Sequence, residues 1–145
     1  MPASNAFAAI GGKLKRGDGG SPEAFTDVAE LVDISGPSGS LAMIEVTNLG
    51  SPGSAREYIA SLIDNGTVSC QANFDPTNSQ QSPTAGIISD RDNRVKRNWK
   101  VVWSNAAATT AAFAGFIESF STDQKTGDKA VFNFAIRIVG AITWS

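Results

Sequence analysis

The stretch that decides the fold runs Ala130-Val131-Phe132-Asn133-Phe134-Ala135-Ile136-Arg137-Ile138-Val139-Gly140-Ala141-Ile142-Thr143-Trp144. Ala130, Phe132, Phe134, Ile136, Ile138, Gly140, Ile142 and Trp144 share one parity, while Asn133, Arg137 and Thr143 take the other. Successive side chains of an extended chain point to opposite faces, so this spacing predicts a strand with one apolar, buried face. A strand this long belongs in the centre of an antiparallel sheet.

Working outward, Lys125-Thr126-Gly127-Asp128 reads as the turn before it, and Thr109 to Thr122 as a preceding strand of mixed pattern. Val95 to Ser104 is a further strand, with Trp99, Val101 and Trp103 on one face. In Thr67 to Asp75, Val68, Cys70, Ala72 and Phe74 alternate with Ser69, Gln71 and Asn73, a half-buried strand entered from the Asn65-Gly66 turn and ended by Pro76. Thr77 to Pro83 is a polar loop. Thr84 to Asn93 is the best short-helix candidate, with Ser82 or Thr84 as cap and Ile87 and Ile88 docking it.

Nearer the N-terminus, Val28 to Ser35 and Leu41 to Asn48 read as two strands of a hairpin around the Gly36-Pro37-Ser38-Gly39 turn. Residues 1–16 read as a short strand around Ala6 to Ile10 or a mobile arm. Gly17 to Pro22 defeats both helix and strand, so residues 1–27 are a candidate flexible N-terminal arm. Leu49 to Asn65 is the least regular part, a long inter-strand loop. In it Tyr58, Ile59, Leu62 and Ile63 fit two turns of amphipathic helix as well as they fit an ordinary surface loop. The whole predicts one domain over 1–145, mainly β, an antiparallel two-sheet sandwich or barrel with a short flanking α-helix.

The inventory narrows the chemistry. The 145 residues contain no histidine and one cysteine, Cys70, which excludes a Ser-His-Asp triad, a Cys-His pair, an HExxH zinc site and an internal disulfide. The formal charge of -2, from 12 basic and 14 acidic residues, argues against a general nucleic-acid binder. No apolar run is long enough for a transmembrane helix, and the N-terminus has no basic start before its apolar run, so neither a membrane partner nor a secretory leader is expected. Asp90-Arg91-Asp92-Asn93 opens like a calcium loop, but the positions that need Gly and Glu hold Val95 and Val101. No phosphate-binding loop and no spacing for a carboxylate pair are present. The expectation is therefore no catalytic residues, no metal and no cofactor.

The one basic cluster, Arg91, Arg94, Lys96, Arg97 and Lys100, is interleaved with Trp99 and Trp103. Such charge with stacking aromatics is what a small β-barrel binding single-stranded nucleic acid carries. Trp99 and Trp103 share a face with Val101, however, as core residues do. The competing expectation makes Arg94, Lys96, Arg97 and Lys100 a solvated or intersubunit charged edge.

The order of elements from 28 to 104 resembles the lambda-type phage major tail tube proteins. The resemblance rests on Val46-Thr47-Asn48 at a strand exit, Gly50 to Ser54, the patch Arg56-Glu57-Tyr58-Ile59, and Gly66-x-Val68 leading to Phe74-Asp75-Pro76. Val32 to Ser38 resembles the family's first-strand exit, and Asn98 to Trp103 follows in the family's order. The resemblance implies a non-enzymatic virion protein, assembled in the bacterial host cytoplasm, whose six-membered rings stack into a hollow tube. That tube would enclose a tape measure protein, meet tail terminator and baseplate or tail-tip proteins, and conduct double-stranded DNA. It also implies that the 49–65 loop contacts the next ring through Arg56, Glu57, Tyr58 and Ile59, being mobile in the monomer and ordered in the tube. The extra C-terminal domain of some relatives is not expected after Ser145. An acidic or neutral lumen suits DNA passage, with Glu118 a candidate lining residue.

Overall fold

The computed structural model describes residues 3–145. The chain is mainly β and its strands pair antiparallel. The strands are β1 (Lys13–Gly17), β2 (Phe25–Asp27), β3 (Leu31–Ser35), β4 (Ser40–Glu45), β5 (Tyr58–Asp64), β6 (Thr67–Asn73), β7 (Arg97–Val102), β8 (Thr110–Asp123) and β9 (Val131–Trp144). An α-helix, α1 (Ile87–Asp92), lies between β6 and β7, and a single 3-10 turn, Pro52–Ser54, lies between β4 and β5. Seven strands form one sheet in the order β2-β1-β7-β8-β9-β6-β3, and β4 and β5 form a separate two-stranded ribbon.

β9 is an interior strand, as its alternation predicts, with β8 on one side and β6 on the other. Its Phe132, Phe134, Ile136 and Ile138 are buried with Trp99 and Val101 of β7, Val68 and Cys70 of β6, Leu14 of β1 and Ile87 of α1. Each such side chain contributes roughly 1.5–3 kcal/mol by leaving water. The mixed pattern of β8 has a local cause. Ile117 pairs with Ile136 and Ser119 with Ala135, so Glu118 is an extra residue at a β-bulge. The inward parity therefore switches from Phe113, Gly115 and Ile117 to Phe120.

The large sheet is strongly curled. Its outermost strands, β2 and β3, are joined by only Val28 to Glu30, a link that reaches at most about 14 Å. Seven strands laid flat would span about 29 Å. The link is bonded to both halves: Val28 N donates to Leu14 O at 2.8 Å, and Asn73 N donates to Glu30 O at 2.9 Å. The core thus lies inside the curl of one sheet. The smaller sheet stands away from it, with every residue of β4 and β5 exposed.

Several local expectations are corrected. Residues 13–27 are not an arm. β1 lies between β2 and β7, with Leu14 and Arg16 turned inward, and no strand forms over Ala6 to Ile10; residues 1 and 2 lie outside the described residues. β3 and β4 do not form a hairpin, since β3 pairs with β6 and β4 with β5. Gly36, at φ +117°, abuts the Thr67 backbone so closely that a Cβ would sit 2.6 Å from its carbonyl oxygen, and the chain leaves the sheet there. The helix is shorter than Thr84 to Asn93 and has no side-chain cap. Ser82 Oγ accepts from Thr84 N instead, while Ile87 and Ile88 do dock it.

Candidate functional site: an exposed apolar ribbon and an open slot

The β4–β5 ribbon is built from residues that favour strands, among them Ile44, Tyr58, Ile59 and Ile63. Ile44 faces Ile59 and Leu41 faces Ile63 across it. A shift in register between Leu41 and Met43 sets residues 61 and 62 against Ala42, one extra residue, so apolar side chains fall on both faces. That is why 58–64 mimics helical spacing in the sequence. The expected loop or helix over 49–65 is half strand, and only residues 46–57 form the connection.

The base of the ribbon is tied to β9. Asn65 Nδ2 donates to Gly140 O at 2.6 Å, and Arg137 Nη2 donates to Asp64 Oδ2 at 2.8 Å. The Gly66 N–H and then Arg137 hold the Asp64 carboxyl below the usual 3.8. Gly66 sits at φ +71° against Ser38 O, where a Cβ has no room.

The apex is braced internally. Asn48 Oδ1 accepts from Gly50 N at 2.8 Å, Ser51 Oγ accepts from Asn48 N at 2.9 Å, and Ser51 N donates to Asn48 O at 3.0 Å. Ser51 Oγ donates to Glu57 Oε2 at 2.7 Å, and Glu57 N donates to Thr47 Oγ1 at 2.9 Å. These bonds hold Leu49 fully in solvent.

Nine large apolar side chains of the ribbon are between 41% and 110% exposed: Leu41, Met43, Ile44 and Val46, then Leu49 at the apex, then Tyr58, Ile59, Leu62 and Ile63. Together they present on the order of 1,000 Å² of side-chain surface, more than the few hundred Å² usual for a monomer's largest apolar patch. An isolated two-stranded ribbon is marginal in water, so covering this apolar surface would stabilise it.

Of the four residues expected at the stacking contact, Arg56, Tyr58 and Ile59 are open to solvent. Arg56 Nη1 lies 3.6 Å from Glu45, and Glu57 is engaged as an apex brace. The sequence marked Leu62 only as part of a helix-like apolar spacing and did not single out Leu41, Met43 or Leu49; their signal was apolar residues on both parities of a two-stranded segment.

The basic cluster is dispersed. β7 is paired on both sides, so Arg97 and Lys100 do not lie on a free sheet edge. Arg97 Nε donates to Asp90 at 2.7 Å, and Lys100 Nζ sits 4.2 Å from the centre of the Phe25 ring. Arg94 and Lys96 are exposed in the approach to β7. Trp99 is 1% exposed and offers no face to a base, and Trp103, half-buried, has one face stacked on Trp144. Glu118 is exposed at the β8 bulge. Among the described residues no three His, Cys, Asp or Glu side chains cluster to hold a metal, and no helix is long and apolar enough to cross a membrane.

A second feature is a cleft of about 440 Å³ where the curled sheet fails to close. One wall is β3, whose second edge has no partner strand among the described residues; the others are the end of β7 and residues 7–12. Phe7, Ile10 and Val32 line it and are at least half exposed. Asp33 lines both this cleft and the neighbouring hollow formed with Ser35, Ser69 and Gln71, and is exposed and without an ion-pair partner among the described residues.

No family model matches the sequence, and no curated protein matches it. The fold does match solved structures. A chain in the virion of a native gene transfer agent particle superposes with a TM-score of 0.75 at 15% identity, covering 97% of this chain and 99% of that one. A chain in the tail of an empty gene transfer agent particle, refined with C6 symmetry, gives 0.71 at 17% identity over 92% and 95%. The SPP1 tail tube gives 0.66 at 9% identity over 94% and 78%. The chain therefore has the fold found in these tail and virion assemblies.

Proposed function

We propose that this chain is a structural, non-catalytic subunit of a phage-type tail tube, and so a virion component, that builds by self-association. The carrying observation is the β4–β5 ribbon, whose exposed apolar surface matches the roughly 800 Å² that each partner buries in a standard interface. The match to a tail solved with C6 symmetry supports six-membered rings, and the sequence resemblance supports their stacking into a hollow tube of the lambda type. On that resemblance rest the remaining elements of the reading: an enclosed tape measure protein, terminator and tail-tip partners at the ends, assembly in the host cytoplasm, and passing contact with double-stranded DNA in the lumen. The dispersal of the basic cluster and the burial of Trp99 favour this reading over a single-strand-binding barrel.

Negative-stain electron microscopy and sedimentation of the purified chain across a concentration series test it. Rings or tubes of uniform width are expected, absent in Ile59→Asp. A wild-type chain that stays monomeric at every concentration overturns the reading. The Ile59 variant is preferable to deleting residues 51–62, which would remove most of β5 along with the apex.

A further inference from the structure

We infer that the cleft beside β3 is the receptor for the ribbon apex of a second copy of this chain, Leu49 entering it and Arg56 meeting Asp33. This rests on the self-assembly reading and adds the identity of the acceptor surface. Three observations converge on one occupant.

The first is the chemistry of the cleft. It combines apolar walls, from Phe7, Ile10 and Val32, with the edge of β3 that has no partner strand among the described residues, whose open backbone N–H and C=O groups are available to a docked loop. The second is the shape of the donor. Leu49 is held outward by the Asn48, Ser51 and Glu57 bonds, so little ordering entropy remains to be lost when it docks. The third is charge. Arg56 is an exposed cation beside the apex, 3.6 Å from Glu45 and free to exchange that exposed pair, and Asp33 is an exposed anion of the cleft lining with no ion-pair partner among the described residues.

The apex cannot be satisfied by its own cleft in this conformation, since Leu49 and Val32 are both exposed. A knob and a socket at different places on one chain make a head-to-tail contact, which closes into rings or extends into filaments depending on the rotation between copies. That geometry distinguishes the contact from an isologous ribbon-on-ribbon pairing, which would be two-fold and would end at a dimer.

The test mixes two full-length variants, Leu49→Cys and Val32→Cys, under mild oxidation at concentrations that give assemblies by microscopy. The native Cys70 stays silent because burial pushes its thiol up to about 12. A covalent Leu49→Cys to Val32→Cys dimer, severalfold in excess of Leu49→Cys homodimers and absent at dilution, is expected. Assemblies that form without that pair, or that yield only Leu49→Cys homodimers, overturn the cleft assignment and leave self-assembly standing. Absence of assemblies in the unmodified chain overturns both. Independently, Arg56→Glu should weaken assembly severalfold and Asp33→Arg should restore it in that background. Failure of the restoration removes the Arg56–Asp33 contact from the model.

Discussion

Arg16 and Asp90, 74 residues apart, meet in a two-pronged ion pair, with Arg16 Nε and Nη2 at 2.7 and 2.8 Å from the two carboxylate oxygens. Both side chains are at most 8% exposed, and Arg97 closes on the same carboxylate at 2.7 Å. The pair fastens α1 to β1, and Gln80 and the Ala85 carbonyl take further Arg16 donors. Removing the carboxylate strands two guanidiniums. Asp90→Asn is therefore expected to cost about 3–5 kcal/mol, the range for breaking a buried pair. Urea unfolding measures it, and a loss below about 1 kcal/mol would mean the pair is solvated in solution.

Trp99 and Ile59 should separate stability from assembly. Trp99 is buried at the core, and Trp99→Ala should lose about 3–5 kcal/mol through transfer and cavity terms. Ile59→Asp alters an exposed ribbon residue and should leave the monomer within about 0.5 kcal/mol. Thermal unfolding of dilute protein beside sedimentation at high concentration distinguishes them. Equal destabilisation by both variants would mean that the ribbon packs on the core in solution.

Gly66 is expected to tolerate no side chain. Its left-handed conformation alone costs a substituted residue roughly 1–2 kcal/mol, and the overlap with Ser38 O adds to that. Gly66→Ala should lower the melting temperature and displace the ribbon base. Gly127→Ala, also at positive φ but with open space around it, should show only the conformational cost. Similar losses from both would remove the steric argument at Gly66.

Acid sensitivity follows from four depressed carboxylates. Hydrogen bonding to Lys15 lowers Asp27, the Gly66 N–H followed by Arg137 lowers Asp64, Thr77 lowers Asp75, and the Gly20 and Ala24 N–H groups lower Asp18. A carboxylate lowered on folding stabilises the native state at pH values above its unfolded pKa, and that contribution is lost as pH falls through the folded one. Stability should thus be steady from neutrality to about pH 5 and decline below about pH 4. Asp64→Asn should give a shallower acid decline, read from melting temperatures between pH 2 and 7; an unchanged slope would dissociate Asp64 from the acid limb.

Much of this architecture was legible in the residues. The alternation in 130–144 set β9 as an interior strand, and that in 67–75 set β6, because a half-buried strand writes its environment at period two. β1 escaped notice because Lys13-Leu14-Lys15-Arg16 reads as charged, whereas Arg16 is buried through a partner 74 residues away. β5 escaped because a ribbon exposed on both faces has no apolar side to alternate with, and its bulge breaks the parity further.

What the sequence by itself determined was the β class, the antiparallel hairpin of β8 and β9, and the want of histidine-dependent chemistry. These depend on local alternation and on inventory. Only the tertiary structure decided that the sheet curls until β2 and β3 are joined across three residues, that Asp90 gathers two arginines, and that the ribbon and the open cleft lie apart on one chain. Such relationships join residues far apart in the chain, and no local pattern encodes distance or direction between elements until the core has packed.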